Sequence, residues 1–277
     1  MQRRALAMAM AGLVGLAGAL LPLAAGAPIN NNANVANKAP TLYSDAIPSS
    51  ASPTSGTTTS MWVEVTFEDG NGHNDLDGAT VTVYQSDNST VEVPSGSATK
   101  TGGSGKRGTY NYSFDMDYDD AAGTYYVRAT ASDRASASAT AYLSFTYGSL
   151  AALSLSVSSV TLNPAGDENA ELQPGEDSRS DPASVTISNA GNAPLDLQFS
   201  GTDLTGPGGA TIPVASILYS RSSDMSSETA FGATAQTDTG FNLATDGSKS
   251  AYFAVTIPEG VPAGSYAGTI TLAAVAG

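Results

Sequence analysis

From Met61 onward, apolar residues recur at every second position in short runs, each closed by Gly, Asp, Asn or Pro. Met61, Val63, Val65 and Phe67 alternate with Trp62, Glu64 and Thr66. A period of two puts each set on one face of a pleated strand, so every run predicts a strand with one buried face. The runs continue through Val81/Val83, Val91/Val93, Tyr110/Tyr112/Phe114/Met116, Tyr125/Val127/Ala129/Ala131 and Ala139/Ala141/Leu143/Phe145/Tyr147. Roughly six short strands over 61–149 predict an antiparallel sandwich. A second series starts at Leu150–Val157 and continues through Val185/Ile187, Leu195/Leu197/Phe199, Ala251/Phe253/Val255/Ile257 and Tyr266/Gly268/Ile270/Leu272. Pro213 separates Ile212/Val214 from Ile217/Tyr219, which suits an edge or a bulge, and Phe231 and Phe241 are the core candidates of 220–248. The chain therefore reads as all-β, with two tandem antiparallel β-sandwich domains at 61–149 and 150–277. The tight spacing around Ser149 favours a stiff rod over a loose tether.

What precedes residue 61 reads differently. Met1–Arg4 is basic and Ala5–Ala27 apolar, so residues 1–27 predict a signal helix for export, with cleavage after Ala25 or Gly26. Retention as an anchor, twin-arginine export through Arg3-Arg4 and a pilin-type leader are the alternatives. After 28 the chain is rich in Asn, Ser, Thr, Pro and Ala, which predicts a flexible, disordered polar linker over 28–60, with an edge strand at 41–47. No apolar tail or lipidation cysteine is seen toward residue 277, so membrane contact is expected only if the N-terminal segment is retained.

Charge and composition exclude several classes of chemistry. Lys+Arg is 11 against Asp+Glu 26, a formal charge of −15, which falls to −17 without Arg3 and Arg4. A basic footprint for nucleic acid is absent. There is no Cys and one His, His73, which excludes disulfides, thiolate metal sites and thiol catalysis, and a His-based triad has little to draw on. No GxSxG, HExxH or phosphate loop occurs, and no catalytic residues or organic cofactor are expected.

The chemical candidate is the loop Asp69–Gly78, DGNGHNDLDG. Asp69, Asn71, Asp75 and Asp77 offer hard oxygen ligands for Ca²⁺ between glycines. The EF-hand pattern is not met, since position five is His73 and position twelve is Thr80. The competing reading is a plain turn in which Asp and Asn cap their own backbone, Leu76 plugs the core and His73 faces solvent. A second acidic group is Asp115, Asp117, Asp119 and Asp120; a third, over 167–181, comprises Asp167, Glu168, Glu171, Glu176, Asp177 and Asp181 and reads as solvated surface. N-glycosylation acceptors occur at Asn88 and Asn111. Trp62, opposite Met61 and Val63, is the candidate anchor for a partner.

The stretches ASVTISNAGNAPLDLQFSGTDL (183–204) and IPEGVPAGSYAGTITLAAV (257–275) resemble the C-terminal β-sandwich of secreted archaeal cell-surface proteins. Asn189, Gly191 and Asn192 match the turn that joins two strands there, and Gly260, Pro262, Ala263, Gly264, Tyr266 and Gly268 match the final hairpin. VTFEDGNG, DLDGATVTVY and GTYYVRATASD resemble an immunoglobulin- or fibronectin-like extracellular module. The resemblance implies sandwiches of immunoglobulin-like type in an exported surface component, with no catalytic pattern to carry across. The acid excess and scarcity of Lys also resemble proteins of salt-loving cells. Three functional expectations follow: a structural protein of an envelope layer or filament, a calcium-assisted binding or adhesion module for a glycan or protein, and a filament subunit assembling by strand exchange through 28–60. Its expected partners are copies of itself or other surface proteins.

Overall fold

The computed structural model describes residues 33–163, 171–237 and 239–277. The segment 1–27 expected to act as a signal, the start of the expected linker, Asp167 and Glu168 lie outside the described residues. Two compact units are separated at Ala36, and everything below concerns the second, Asn37–Gly277.

Its first half contains β1 (Thr41–Ala46), β2 (Ser50–Ala51), β3 (Thr58–Glu68), β4 (Leu76–Tyr84), β5 (Val91–Ser97), β6 (Thr99–Ser104), β7 (Arg107–Asp117), β8 (Gly123–Asp133) and β9 (Ser138–Tyr147). Two sheets, β1-β3-β7-β6 and β2-β9-β8-β4-β5, enclose one core. All pairs are antiparallel except β2 with β9. The alternation dictates the packing: Met61, Val63, Val65 and Phe67 face Val81, Val83, Val127, Ala129 and Phe145 from the opposite sheet, all buried. One departure matters for the site. The β4–β8 register slips between Leu76 and Gly78, so Asp77 is the extra residue of a bulge and the buried positions move from Leu76 to Ala79.

Within the linker expected over 28–60, the edge strand expected at 41–47 is present as β1, and β2 and the start of β3 also fall inside it. β1 pairs with β3, β2 with β9, and β3 begins at Thr58, three residues before the alternation. Polar composition misled here because an edge strand needs only backbone partners and a few anchors. All six β1 side chains are exposed, while Pro40 and Pro53 are buried and Ile47 packs on the core.

The second half contains β10 (Leu153–Leu155), β11 (Ala183–Asn189), β12 (Leu195–Gly201), β13 (Leu204–Thr205), β14 (Thr211–Ile212), β15 (Ile217–Ser220), β16 (Thr229–Ala230), β17 (Asn242–Leu243), β18 (Ser248–Val255) and β19 (Ile270–Ala276). A sheet β10-β11-β18-β15-β16 packs on β17-β12-β19, with β13-β14 as a separate ribbon. Phe199, Tyr219, Phe231, Phe241 and Phe253 are buried together at the centre. Two local expectations change. The Asn189–Asn192 turn does join two strands, β11 and β12, although these lie in different sheets, and residues 257–269 carry the chain from β18 across to β19 in place of the expected final hairpin. β15 lies between β18 and β16 with all four residues buried, and Pro213 precedes it in a short turn rather than marking an edge.

Candidate functional site

The loop between β3 and β4 sits at one end of the first sandwich, against three other segments. Asp69 N and His73 N donate to Lys106 O and Gly105 O of the β6–β7 turn. Arg134 N, in the β8–β9 turn, donates to Asp75 O. Lys38 N donates to Asn71 Oδ1 at 2.8 Å, and Asn37 Nδ2 to Asp133 Oδ2 at 2.9 Å. The pairing of Leu76 with Asp133 across β4 and β8 brings two distant acidic turns side by side.

At this junction one carboxylate oxygen from each of Asp69, Asp75 and Asp133 lies within 4.8 Å of the others. Asp69 is fully buried, Asp133 is 2% exposed and Asp75 is half-buried. Asp69 Oδ1 accepts from Asn71 N at 2.7 Å, whereas Asp69 Oδ2 is buried without a partner. Asp133 Oδ1 accepts from the Ala135 and Ala137 N–H groups, both at 2.9 Å. The Asn37 amide first, and the Ala137 and Ala135 N–H groups after it, hold the Asp133 carboxyl below its ordinary value against the opposing effect of burial. None of the ion pairs among the described residues, which join Arg107 to Glu68 and Arg179 to Asp177 and Glu228, reaches this trio.

Of the four loop residues proposed from the sequence as ligands, Asp69 and Asp75 come together here. Asn71 spends Oδ1 on the Lys38 amide, and Asp77 is exposed on the bulge and is not part of the trio. The missing member, Asp133, belongs to the DRAS turn far along the chain; only the β4–β8 register could have signalled it. His73 is half-buried rather than solvent-facing, with Nδ1 shut off from any partner and its carbonyl accepting from Lys100 Nζ.

The second acidic group divides. Asp115 accepts from Ser60 Oγ on the outer face of β7. Asp117, Asp119 and Asp120 gather at the turn after β7, where Asp120 Oδ2 accepts from Asp117 N at 2.6 Å. Burial, then the hydrogen bond shared with Glu92, pushes the Asp120 carboxyl up to about 7. In the third group, Asp177 and Glu228 both bind Arg179. Asn88 is exposed with φ of 55°, and its carbonyl and Oδ1 accept from Arg128; Asn111 is half-buried on β7 opposite Glu64. Trp62 is 43% exposed on the outer face of β3.

A buried polar joint connects the two sandwiches. Asn192, 5% exposed, accepts from Leu150 N at 2.6 Å and donates to Asp120 O at 2.8 Å and Gly148 O at 3.0 Å. Its own N–H donates to Leu150 O, Ala190 N to Ala152 O, and Ser55 Oγ to Ala190 O. Beside it, a Cβ on Gly191 would lie 2.1 Å from Leu150 O, so the chains approach here only through glycine. Two depressions in the second sandwich, of about 420 and 370 Å³, share Arg221, Ser227 and Phe241. Glu228 lines the smaller one and is engaged by Arg179. Among the described residues no helix is long and apolar enough to cross a membrane.

The sequence matches no protein-family model and no curated protein. Among solved structures, the chain is similar to the secreted serine protease VesC from Vibrio cholerae, at 13% identity and a TM-score of 0.23, over 84% of this chain and 50% of that one. It is also similar to the CsuC-CsuE chaperone-tip adhesion subunit complex of Acinetobacter baumannii, at 14% identity and a TM-score of 0.36, over 83% and 99%. A third likeness is to the C-terminal domain of the Streptococcus pyogenes antigen I/II-family protein AspA, at 11% identity and a TM-score of 0.26, over 85% and 95%. Identities and TM-scores this low carry no argument about kinship or activity, and these bacterial neighbours lend no support to an archaeal origin.

Proposed function

We propose that the chain is a non-catalytic structural module of an exported surface or extracellular assembly. The observation that carries this reading is the Asn192 joint, which ties the two sandwiches through buried hydrogen bonds instead of a slack linker. A fixed joint transmits force and orientation between modules, which suits a component of an envelope layer or filament. Immunogold electron microscopy of native cells tests it: label is expected on the cell surface or on extracellular filaments. Label confined to the cytoplasm would overturn it.

A second reading is strand exchange, in which β1 leaves β3 and pairs with a neighbouring copy. It is favoured by the exposure of all six β1 side chains, which leaves mainly backbone bonds holding the strand at home. Size-exclusion chromatography with light scattering checks this. Oligomers that disappear when residues 28–57 are removed would support it, and monomers in both cases at every concentration would end it.

A further inference from the structure

We propose that Asp69, Asp75 and Asp133 form a Ca²⁺ site that fastens residues 37–38 to the end of the first sandwich.

Turn formation explains only part of these side chains. Asp69 caps its turn with Oδ1 alone, and an Asn or Ser would do that without burying a charge. The fully buried Oδ2 has no donor, a costly state for a carboxylate unless something positive completes it. One oxygen from each of the three carboxylates lies within 4.8 Å of the other two. Oxygens bound to one Ca²⁺ at about 2.4 Å can lie up to about 4.8 Å apart, so a single ion reaches all three. Like charges at such spacing repel until a cation or proton intervenes, and no Lys or Arg pairs with them among the described residues. The donors are hard oxygens on turns, whose backbone carbonyls and bound water complete the six to eight positions that Ca²⁺ takes, while Mg²⁺ asks for a stricter octahedron. The trio Asp117, Asp119 and Asp120, with its first two members exposed, lacks this signature, because Asp120 is already engaged by Asp117 N and Glu92.

The site also has an outer layer. Asn37 donates to Asp133, and Asn71, two residues after Asp69, accepts from Lys38 N. An ion that orders the three carboxylates therefore orders the segment leading into Pro40 and β1. Bound Ca²⁺ keeps that strand at home, and its removal loosens it.

Calorimetry of the metal-stripped full chain against CaCl₂ at ~0.15 M ionic strength tests the site. One ion per chain is expected, with Kd of about 10⁻⁴ to 10⁻³ M, the range of extracellular modules. Asp75→Asn, at the most exposed member, and Asp69→Asn should each weaken binding by about tenfold or more, and Asn37→Ala by about tenfold. Asp77→Asn and Asp119→Asn should leave it unchanged. Circular dichroism identifies any variant that fails to fold, and Asp75→Asn then decides. Amide hydrogen exchange over 37–46 should slow on adding Ca²⁺ to the parent and not to Asp75→Asn. Absence of binding in the parent, unchanged binding in Asp75→Asn, or Mg²⁺ binding as tightly as Ca²⁺ would overturn the assignment, and exchange indifferent to Ca²⁺ would overturn the fastening.

Discussion

Asn192 shows how much of a two-module architecture can depend on one amide. Its buried side chain satisfies Leu150 N, Asp120 O and Gly148 O at once. Asn192→Ala strands these groups and should cost about 1–3 kcal/mol, read as a lower urea midpoint with unchanged slope. Asn192→Asp should cost more, because a carboxylate faces the two carbonyls that the amide served. The neighbouring Asp120 makes the same corner weaken as pH rises. Its carboxyl, ordinarily at 3.8, sits at about 7 in the fold, so between those values the folded chain holds a proton that the unfolded chain has released. Its stabilising effect is complete below 3.8 and is lost as pH rises through about 7. Thermal melts of the parent should therefore fall more steeply over this window than those of Asp120→Asn; identical slopes would show that the shared proton with Glu92 is absent.

At the level of elements, Phe199 on β12 is the centre of the second sandwich. It is fully buried and its ring centroid lies 4.9 Å from that of Tyr219, 5.1 Å from Phe241 and 6.0 Å from Phe231. Phe199→Ala should cost about 3–5 kcal/mol, while Trp62→Ala, on the open face of β3, should change stability by no more than about 0.5 kcal/mol; chemical denaturation measures both. The strands that carry these residues were legible because burial on one face imposes a period of two, as at Met61–Phe67 and Leu195–Phe199. Strand partners were not legible, because alternation specifies a face and not a neighbour. That is why β18 to β19 read as a hairpin when the chain changes sheets there. The acidic site was half legible for the same reason: Asp69 and Asp75 share a loop, but Asp133 joins them only through the β4–β8 register, and the bulge at Asp77 re-aims a residue that spacing alone placed with them. β1 was visible as a strand and misjudged in its surroundings, since polar side chains say nothing about unpaired backbone on a sheet edge.

For the whole molecule, a formal charge of −15 sets the response to salt. Self-repulsion reaches across the protein at a Debye length of about 30 Å in ~0.01 M salt and is confined to about 3 Å at ~1 M. The unfolding midpoint should rise over that range in scanning calorimetry, and a fall would mean that attractive ion pairs outweigh the repulsion. The crossing of β19 into the sheet of β12 bears on how such a chain is made. Every strand of the first sandwich has left the ribosome once Tyr147 has, but β12 lacks one flanking strand until Ile270–Ala276 follows. During that interval the opposite layer is in place beneath Leu195, Leu197 and Phe199, but one backbone edge of β12 stays unpaired, so the second sandwich is the half open to mispairing while the chain is being made.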